Sequence, residues 1–386
     1  MHFKTASGDC AATARALLED AFGPEANPIQ LSVVPGRVNL IGEHIDYHLL
    51  PVLPMAIDRA IYIAYRQNHS RAIQAFSAQA PAPTRVPLDG EQVPSSAGDW
   101  SNYVKAAVNA ISPHWRLQTG IDAAVASDLP VAAGLSSSSA LLTGFAIALL
   151  KANGFTPSWD RLMQVLPEGE QFVGTRGGSM DHAVVLAGQP GHALYLQFDP
   201  LSFEPIPVPH AWAFFVCHSL QSAEKSGAVR ERYNALRMAG NNALQRRGYH
   251  TFREALENDK APLADPPYMH VLGEAARVNS AVAAMRQGDL QAFGRLMLDS
   301  HASLRDRLNV STPVLDALVN AAVRSGAVGA RLTGAGFGGC VLGLCRRDAL
   351  DKVLASLAAH YAHRRDFHPA QHLFEVKPSA GALAYV

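Results

Sequence analysis

Between Pro35 and Tyr47 the chain sets six polar or ionisable side chains, Arg37, Asn39, Glu43, His44, Asp46 and Tyr47, within eleven residues. Gly36 and Gly42 interrupt the run, so a turn here can present Arg37, Glu43, His44 and Asp46 on one rim. Carboxylates and an imidazole on such a rim suit paired hydrogen bonds to the vicinal hydroxyls of a sugar. A charged turn that caps itself internally has the same composition. A second segment, Gly134-Leu135-Ser136-Ser137-Ser138-Ser139-Ala140, runs directly into an apolar stretch of helical character. It gathers backbone N–H groups, hydroxyls and the positive end of a helix dipole at one point, which makes an anion cradle. A hydroxyl there could also ligate Mg²⁺. The segment is not a P-loop, because no Gly-Lys-Ser/Thr follows. A flexible serine linker is the alternative, although linkers do not normally lead straight into a mostly apolar helix.

Two further segments are weaker taken alone. Arg331 to Cys340 holds Gly334, Gly336, Gly338 and Gly339, which let backbone approach a ligand or a neighbouring loop closely, as glycine-rich hairpins also do. Gly174 to His182 ends in Met180-Asp181, where an Asp after a glycine turn reads as a helix cap or as a catalytic base.

These segments need elements to hold them. With 386 residues against roughly 150 per domain, two or three domains are expected. Lys and Arg number 33 and Asp and Glu 33, so zero net charge argues against a nucleic-acid or membrane footprint. The longest strongly apolar stretch, Ala140 to Leu150, is far short of the ~20 residues of a membrane helix. No secretory leader opens the chain, and the four cysteines lack zinc-like spacing, so a reducing cytoplasm is expected. The pattern predicts helices at Ser7–Phe22, Trp100–Ile111, Ala140–Ala152 and Ala349–Tyr361, and a helical block from Arg230 to Leu318. Strands are expected at Ile29–Val34, Ala60–Tyr65, Asp122–Ser127, Ala193–Phe198, Trp212–His218, Gly329–Thr333, Cys340–Leu344 and near Leu373–Val376. The Pro-rich stretch Pro200 to Pro209 is the best boundary, which divides the chain into 1–199 and 200–386. Mixed elements without a steady βαβ rhythm favour an α+β fold of two lobes with a ligand cleft between them. The histidines His360, His363, His368 and His372 read as a solvated helix end.

In this order, the segments resemble the GHMP small-molecule kinases, and within them the galactokinase branch. Pro35 to Tyr47 is similar to the galactokinase signature, Gly134 to Ser138 to the phosphate loop, Gly178 to Asp181 to a Gly-x-Met-Asp element, and Thr333 to Cys340 to the third glycine motif. Trp100 to Val104, Phe293 to Met297 and Ser300 to Asp306 resemble further family segments, so the likeness spans about Leu31 to Gly381. It implies an N-terminal lobe like the second domain of ribosomal protein S5 and a ferredoxin-like C-terminal lobe. ATP would lie against Gly134, Leu135, Ser136, Ser137, Ser138, Ser139 and Ala140. The sugar would meet Arg37, Glu43, His44, Asp46, Gly178, Asp181 and Tyr233. Ser138 matches the Mg²⁺-binding serine, with Glu170 as the first choice of carboxylate and Glu168 the alternative. Asp181 would accept or orient the C1-hydroxyl proton, with Arg37 beside it.

Some residues depart from the branch. Ala132 and Ala133 stand where glycines are usual, and His182 stands for Gln. Glu43-His44-Ile45-Asp46-Tyr47-His48-Leu49-Leu50 lacks the usual Thr, Asn and Gly. Ile45, the four-serine loop and Gly174-Thr175 with Gly177-Gly178 look more like N-acetylgalactosamine kinases. The implied function is an ATP-dependent sugar 1-kinase, most simply for galactose, with N-acetylgalactosamine as the runner-up. A non-catalytic sugar and ATP sensor is the alternative of another class. A monomer or weak homodimer is expected.

Overall fold

A computed structural model of the chain describes residues 10–24, 27–130, 133–174, 177–222, 227–260 and 264–386. The start of the first expected helix, Ser7 to Asp9, and the residues Ala132 and Thr175 lie outside the described residues.

The first sheet contains β1 (Gln30–Ile41), β2 (Leu53–Gln67), β3 (Ala72–Ser77), β4 (Ala80–Pro87) and β5 (Ile121–Ser127), in the order β1-β2-β5-β3-β4. The β3–β5 pair is parallel and the others antiparallel. Alternation along the strands gives the sheet two apolar faces. On β5, Ala124 and Ala126 pack with Ala14 and Leu18 of α1 (Cys10–Phe22), while Ala123 and Val125 join the main core. That core is filled by α2 (Ser101–Ile111), α3 (Ser137–Ala152), α4 (Trp159–Phe172) and α5 (Met180–Ala187). α3 is apolar all round and buried along most of its length, as a helix enclosed by sheet and helices must be.

A hairpin of β6 (His192–Phe198) and β7 (Leu201–Pro207) follows, joined to the segment before β2 by a bridge between Val52 and Leu196. The second lobe has β8 (Trp212–His218), then α6 (Gly227–Arg246), α7 (Phe252–Asn258), α8 (Pro266–Gln287), α9 (Leu290–Asp306) and α10 (Pro313–Arg324). It closes with β9 (Gly329–Thr333), β10 (Cys340–Arg346), α11 (Leu350–His360), α12 (Pro369–His372) and β11 (Leu373–Val376). The antiparallel order β11-β8-β10-β9, with helices after β8 and after β10, is the ferredoxin-like arrangement. The two-lobed α+β architecture is thus present.

Where the structure departs from expectation, prolines and bulges explain it. The Pro-rich stretch after Asp199 is no linker: β7 pairs along its length with β6, so a cut between 199 and 200 divides a hairpin. β4, unforeseen because of Pro83 and Pro87, tolerates them as the sheet's edge strand. β1 continues past Val34 to Ile41 through register shifts between Pro35 and Arg37 and between Asn39 and Ile41. Arg37 is therefore on a strand rather than a turn, and the bulge at Gly36 re-aims it.

At the end of the same segment Leu49 has φ 61° and ψ 26°, left-handed backbone that costs a branched residue about 1 kcal/mol or more. Its side chain is 54% exposed, so little packing offsets that cost. Relief of that strain, less the backbone entropy glycine adds to the unfolded chain, leaves Leu49→Gly an expected gain of about 0.5 kcal/mol and roughly 1 °C in melting temperature. A thermal scan with no rise would remove strain from this position.

Candidate active site

Arg37 reaches from β1 to the start of α5. Its Nε donates to Asp181 Oδ1 at 2.7 Å and its Nη2 to Oδ2 at 3.0 Å, a bidentate buried pair. Its Nη1 donates to the Gly134 carbonyl at 2.6 Å, and its backbone N–H to the Leu135 carbonyl at 3.1 Å, so one residue ties strand, serine loop and α5 together. Burial alone would lower the guanidinium, but the carboxylates of Asp181, Glu43 and Asp46 outweigh it and keep the group above its ordinary value. Arg37 is charged at any working pH.

The turn after β1 takes its shape from Gly42 at φ 107° and His44 at φ 62°. Glu43 points back to the second lobe, where Oε1 accepts from the Gly334 amide at 2.6 Å and lies 3.6 Å from Arg331 Nη2. Burial pushes its carboxyl up against the pull of Arg331, Arg37 and that amide. His44 Nε2 donates to the Ala335 carbonyl at 3.1 Å, so Nδ1 accepts the Tyr47 hydroxyl at 2.8 Å. Tyr47 and Tyr233, the latter on α6, meet edge to face at 5.8 Å. Gly178 is obligatory by contact: a Cβ there would lie 2.1 Å from Asp46 Oδ2 and 2.8 Å from the Tyr47 amide. A Cβ on Gly334 would lie 2.9 Å from the Gly134 carbonyl oxygen, so the third glycine motif packs against the serine loop.

Two cavities result. The smaller, about 360 Å³ with its mouth, is lined by Arg37, Glu43, His44, Asp46, Gly178, Asp181 and Tyr233, together with Glu170, Met180 and Ala335 among others. All seven expected sugar-contacting residues thus share one wall. The larger, about 2000 Å³ with its mouth, runs past Gly134, Ser136, Ser137 and Ser138 to Trp100, Tyr103, Ser77 and Gln79. Arg37, Glu170, Asp181, Gly334 and Ala335 border both. The chemistry between two ligands would occur at the Arg37–Asp181 pair.

Three residues of the expected anion loop do not reach this cavity. Leu135, Ser139 and Ala140 are buried, because Ser136 is the cap and the helix begins at Ser137, earlier than expected. Ser139 instead donates to Glu170 Oε1, which also lies 3.7 Å from the fully buried His182 Nε2. Glu170 borders both cavities while Glu168 is exposed on the outer face of α4. Ser138 and Glu170 both border the larger cavity and offer oxygen donors, the ligand type that suits a hard cation. Ile45 is fully buried in the core, Leu50 is buried, and Leu49 faces outward; none of the three lines the smaller cavity. Of the residues that look more like N-acetylgalactosamine kinases, Ile45 thus makes no part of the wall, whereas Gly177 and Gly178 do. Ser77 and Gln79 were missed, because nothing in the sequence marked the β3–β4 turn as facing a cavity.

The other expected features are bland. His360, His363 and His368 are exposed, His372 packs on His218 at 5.3 Å, and no metal-binding cluster occurs among the described residues. All four cysteines are free thiols, and Cys217, Cys340 and Cys345 are buried.

Three imidazoles carry a pH prediction. Burial lowers His48 from 6.5 to about 3, and His218 and His301 to about 4. The folded state then binds fewer protons than the unfolded chain as pH drops below 6.5, so stability is complete above that value and lost beneath it. Each group forfeits about 2 kcal/mol by pH 5. The melting temperature is expected to fall steadily from pH 7 to pH 5, and a flat profile would contradict buried neutral histidines.

Comparison with known proteins adds the family. Three family patterns match: GHMP kinases N terminal domain over residues 102–189, GHMP kinases C terminal over 281–363, and the galactokinase galactose-binding signature over 16–67. A galactokinase of Roseiflexus sp. (strain RS-1) is 36% identical over 341 residues, covering 85% of this chain and 86% of the relative. A galactokinase of Bos taurus is 35% identical over 385 residues, covering 95% of each. Among solved structures, Lactococcus lactis galactokinase complexed with galactose superposes with a TM-score of 0.85 at 25% identity, over 96% of this chain and 98% of that one. Mevalonate kinase, at 19% identity and a TM-score of 0.64 over 90% of this chain and 98% of that one, shares the fold.

Proposed function

The chain belongs to the galactokinase family of the GHMP kinases and is a sugar kinase, and we propose that it moves the γ-phosphoryl group of ATP to the C1 hydroxyl of galactose. The observation that carries this reading is the Arg37–Asp181 pair on the wall common to a small polar cavity and a large one. In-line transfer needs the acceptor hydroxyl and the leaving oxygen of the nucleotide on opposite sides of the transferring phosphorus, so the two ligands must meet at a shared boundary.

In this reading the sugar occupies the smaller cavity. Glu43, His44 and Asp46 hold its hydroxyls, Tyr233 and the Gly178 backbone close the wall, and Asp181 either orients the C1 hydroxyl or takes its proton. Arg37 offsets the negative charge that develops as the phosphoryl group leaves. Backbone amides and hydroxyls of Gly134 to Ser138 hold the nucleotide phosphates at the start of α3. Ser138 and Glu170 would hold Mg²⁺, which supplies the positive charge that phosphoryl transfer between anions requires. Ser139 anchors Glu170 so that this carboxylate keeps its place.

The test is ADP release with Mg-ATP against galactose, N-acetylgalactosamine, galactosamine, glucose, arabinose and galacturonate. Galactose is expected to give the highest kcat/KM, because the relatives that match most of this chain are galactokinases. Preference for N-acetylgalactosamine would reassign the substrate. Absence of turnover with every sugar, with a protein partner captured only in the presence of sugar, would make the chain a sensor. The three buried thiols suit a reducing compartment, and we place the protein in the cytoplasm as a monomer or weak homodimer, which sedimentation at working concentration would check.

A further inference from the structure

Behind the turn that carries Glu43 lies a buried polar cluster that the mechanism above does not use. His270 and Glu274 stand one helical turn apart on α8, and both are wholly buried. Glu274 Oε1 accepts from the Gly42 amide at 3.0 Å and from Ser300 Oγ at 2.6 Å, while Oε2 accepts from Arg277 Nε at 2.8 Å. Burial pushes this carboxyl up, but the guanidinium groups of Arg277 and Arg331 and the Ser300 hydroxyl outweigh it and hold it below its ordinary value. His270 Nε2 lies 2.9 Å from the Glu43 carbonyl oxygen and Nδ1 lies 2.9 Å from Ser303 Oγ. A carbonyl only accepts, so Nε2 carries the proton and Nδ1 receives the serine hydroxyl. Burial holds this imidazole below its ordinary value, which keeps it in that neutral form.

Such a cluster is an expensive way to fill space, since apolar residues of similar volume usually serve stability as well or better. Its contacts go instead to two main-chain groups, the Gly42 N–H and the Glu43 C=O, which bracket Glu43. That stretch has positive φ at both Gly42 and His44, so it has no regular ladder of its own to hold it. The Glu43 side chain is meanwhile fixed at its far end by Gly334. Backbone clamps and side-chain anchor together leave the carboxylate one position.

We propose that Glu274 and His270 are positioning residues for sugar binding, clamping the backbone on either side of Glu43 so that its carboxylate meets the sugar in register. The inference rests on the sugar-kinase reading above. Removing the Glu274 charge risks misfolding, so His270 carries the test through a matched pair of variants. Gln places its amide nitrogen near the site of imidazole Nε2 and can still donate to the Glu43 carbonyl, whereas Asn reaches only the site of Nδ1. In the full chain, His270→Asn is expected to raise the sugar KM about fivefold or more, with the ATP KM within about twofold of the parent. His270→Gln is expected to return the sugar KM to within about twofold of the parent.

Equal sugar KM values for the two variants, or parallel changes in both substrates' KM, would overturn the proposal in favour of packing alone. If neither variant folds, Ser300→Ala, which trims one partner of Glu274, decides the matter. A rise of about two- to fivefold in sugar KM alone supports the clamp, and no rise, or an equal rise for ATP, defeats it. The parent protein on the sugar panel tests the kinase reading separately, and the variants are compared on whichever sugar the parent phosphorylates. If the parent turns over none, sugar-induced shifts in melting temperature replace KM, with the same ordering of variants expected.

Discussion

Asp181→Asn is expected to lower kcat by about 10²- to 10⁴-fold while the sugar still binds measurably. The substitution keeps shape and one acceptor but removes the charge, and it sets an amide donor against the guanidinium of Arg37, which donates through both Nε and Nη2. Asp181→Ala is the harsher version: it leaves a buried cation unpaired, at a cost of about 3–5 kcal/mol in stability, and so confounds chemistry with folding. Two roles for the carboxylate predict different sizes of effect. Both Asp181 oxygens already accept from Arg37, and a loose transition state for phosphoryl transfer asks little of a base. An orienting role then predicts a loss near the lower end of that range. A loss near the upper end, with a pH profile that loses its acidic limb, marks proton abstraction. Single-turnover rates and sugar-induced melting shifts on one preparation separate chemistry from binding. Turnover within tenfold of the parent would take Asp181 out of the reaction.

What could be read in the sequence was whatever the chain writes locally. Arg37, Glu43, His44 and Asp46 are crowded into one short segment, so their common rim was visible before the fold. The serines of Gly134 to Ala140 announced a helix start because an apolar helix follows, though Ser139 faces Glu170 rather than the cavity. Pairings across the chain left no such local trace, and Arg37 beside Asp181 was expected from the family resemblance alone. Arg37 and Asp181 are 144 residues apart, and only the meeting of β1 with α5 makes them one group. His270 and Glu274 were invisible for a related reason. In Pro266 to Gln287 they look like polar residues of an ordinary amphipathic helix, and nothing marks them as facing inward. Ile45, a point of likeness to N-acetylgalactosamine kinases, is a contrasting case. It lies between the site residues His44 and Asp46, yet the turn sends it into the core. Prolines misled twice, at β4 and at β7, because an edge strand that leaves N–H positions unpaired reads like a loop.

Gly178→Ala is expected to reduce kcat/KM for the sugar by about 100-fold, with the ATP KM changed less than about twofold. The added Cβ would sit 2.1 Å from Asp46 Oδ2, 2.3 Å from its Cγ and 2.8 Å from the Tyr47 amide. Backbone cannot yield cheaply at the last of these, since Tyr47 belongs to a 3₁₀ turn whose three residues are all buried. The carboxylate must therefore leave its place, and with it goes a charged acceptor for a sugar hydroxyl. Charge-assisted hydrogen bonds contribute about 1.5–3 kcal/mol, and the upper value corresponds to that 100-fold loss. Asp46→Ala should cost about as much by the direct route. The double variant discriminates: if Gly178 matters only through Asp46, then Gly178→Ala adds nothing to Asp46→Ala, and the cycle is strongly non-additive. Additive losses near 10⁴-fold would mean instead that the glycine backbone meets the sugar itself. A Gly178→Ala protein with the parent's sugar KM would show that the contact with Asp46 can relax without consequence, and Asp46 would then lose its claim on a hydroxyl.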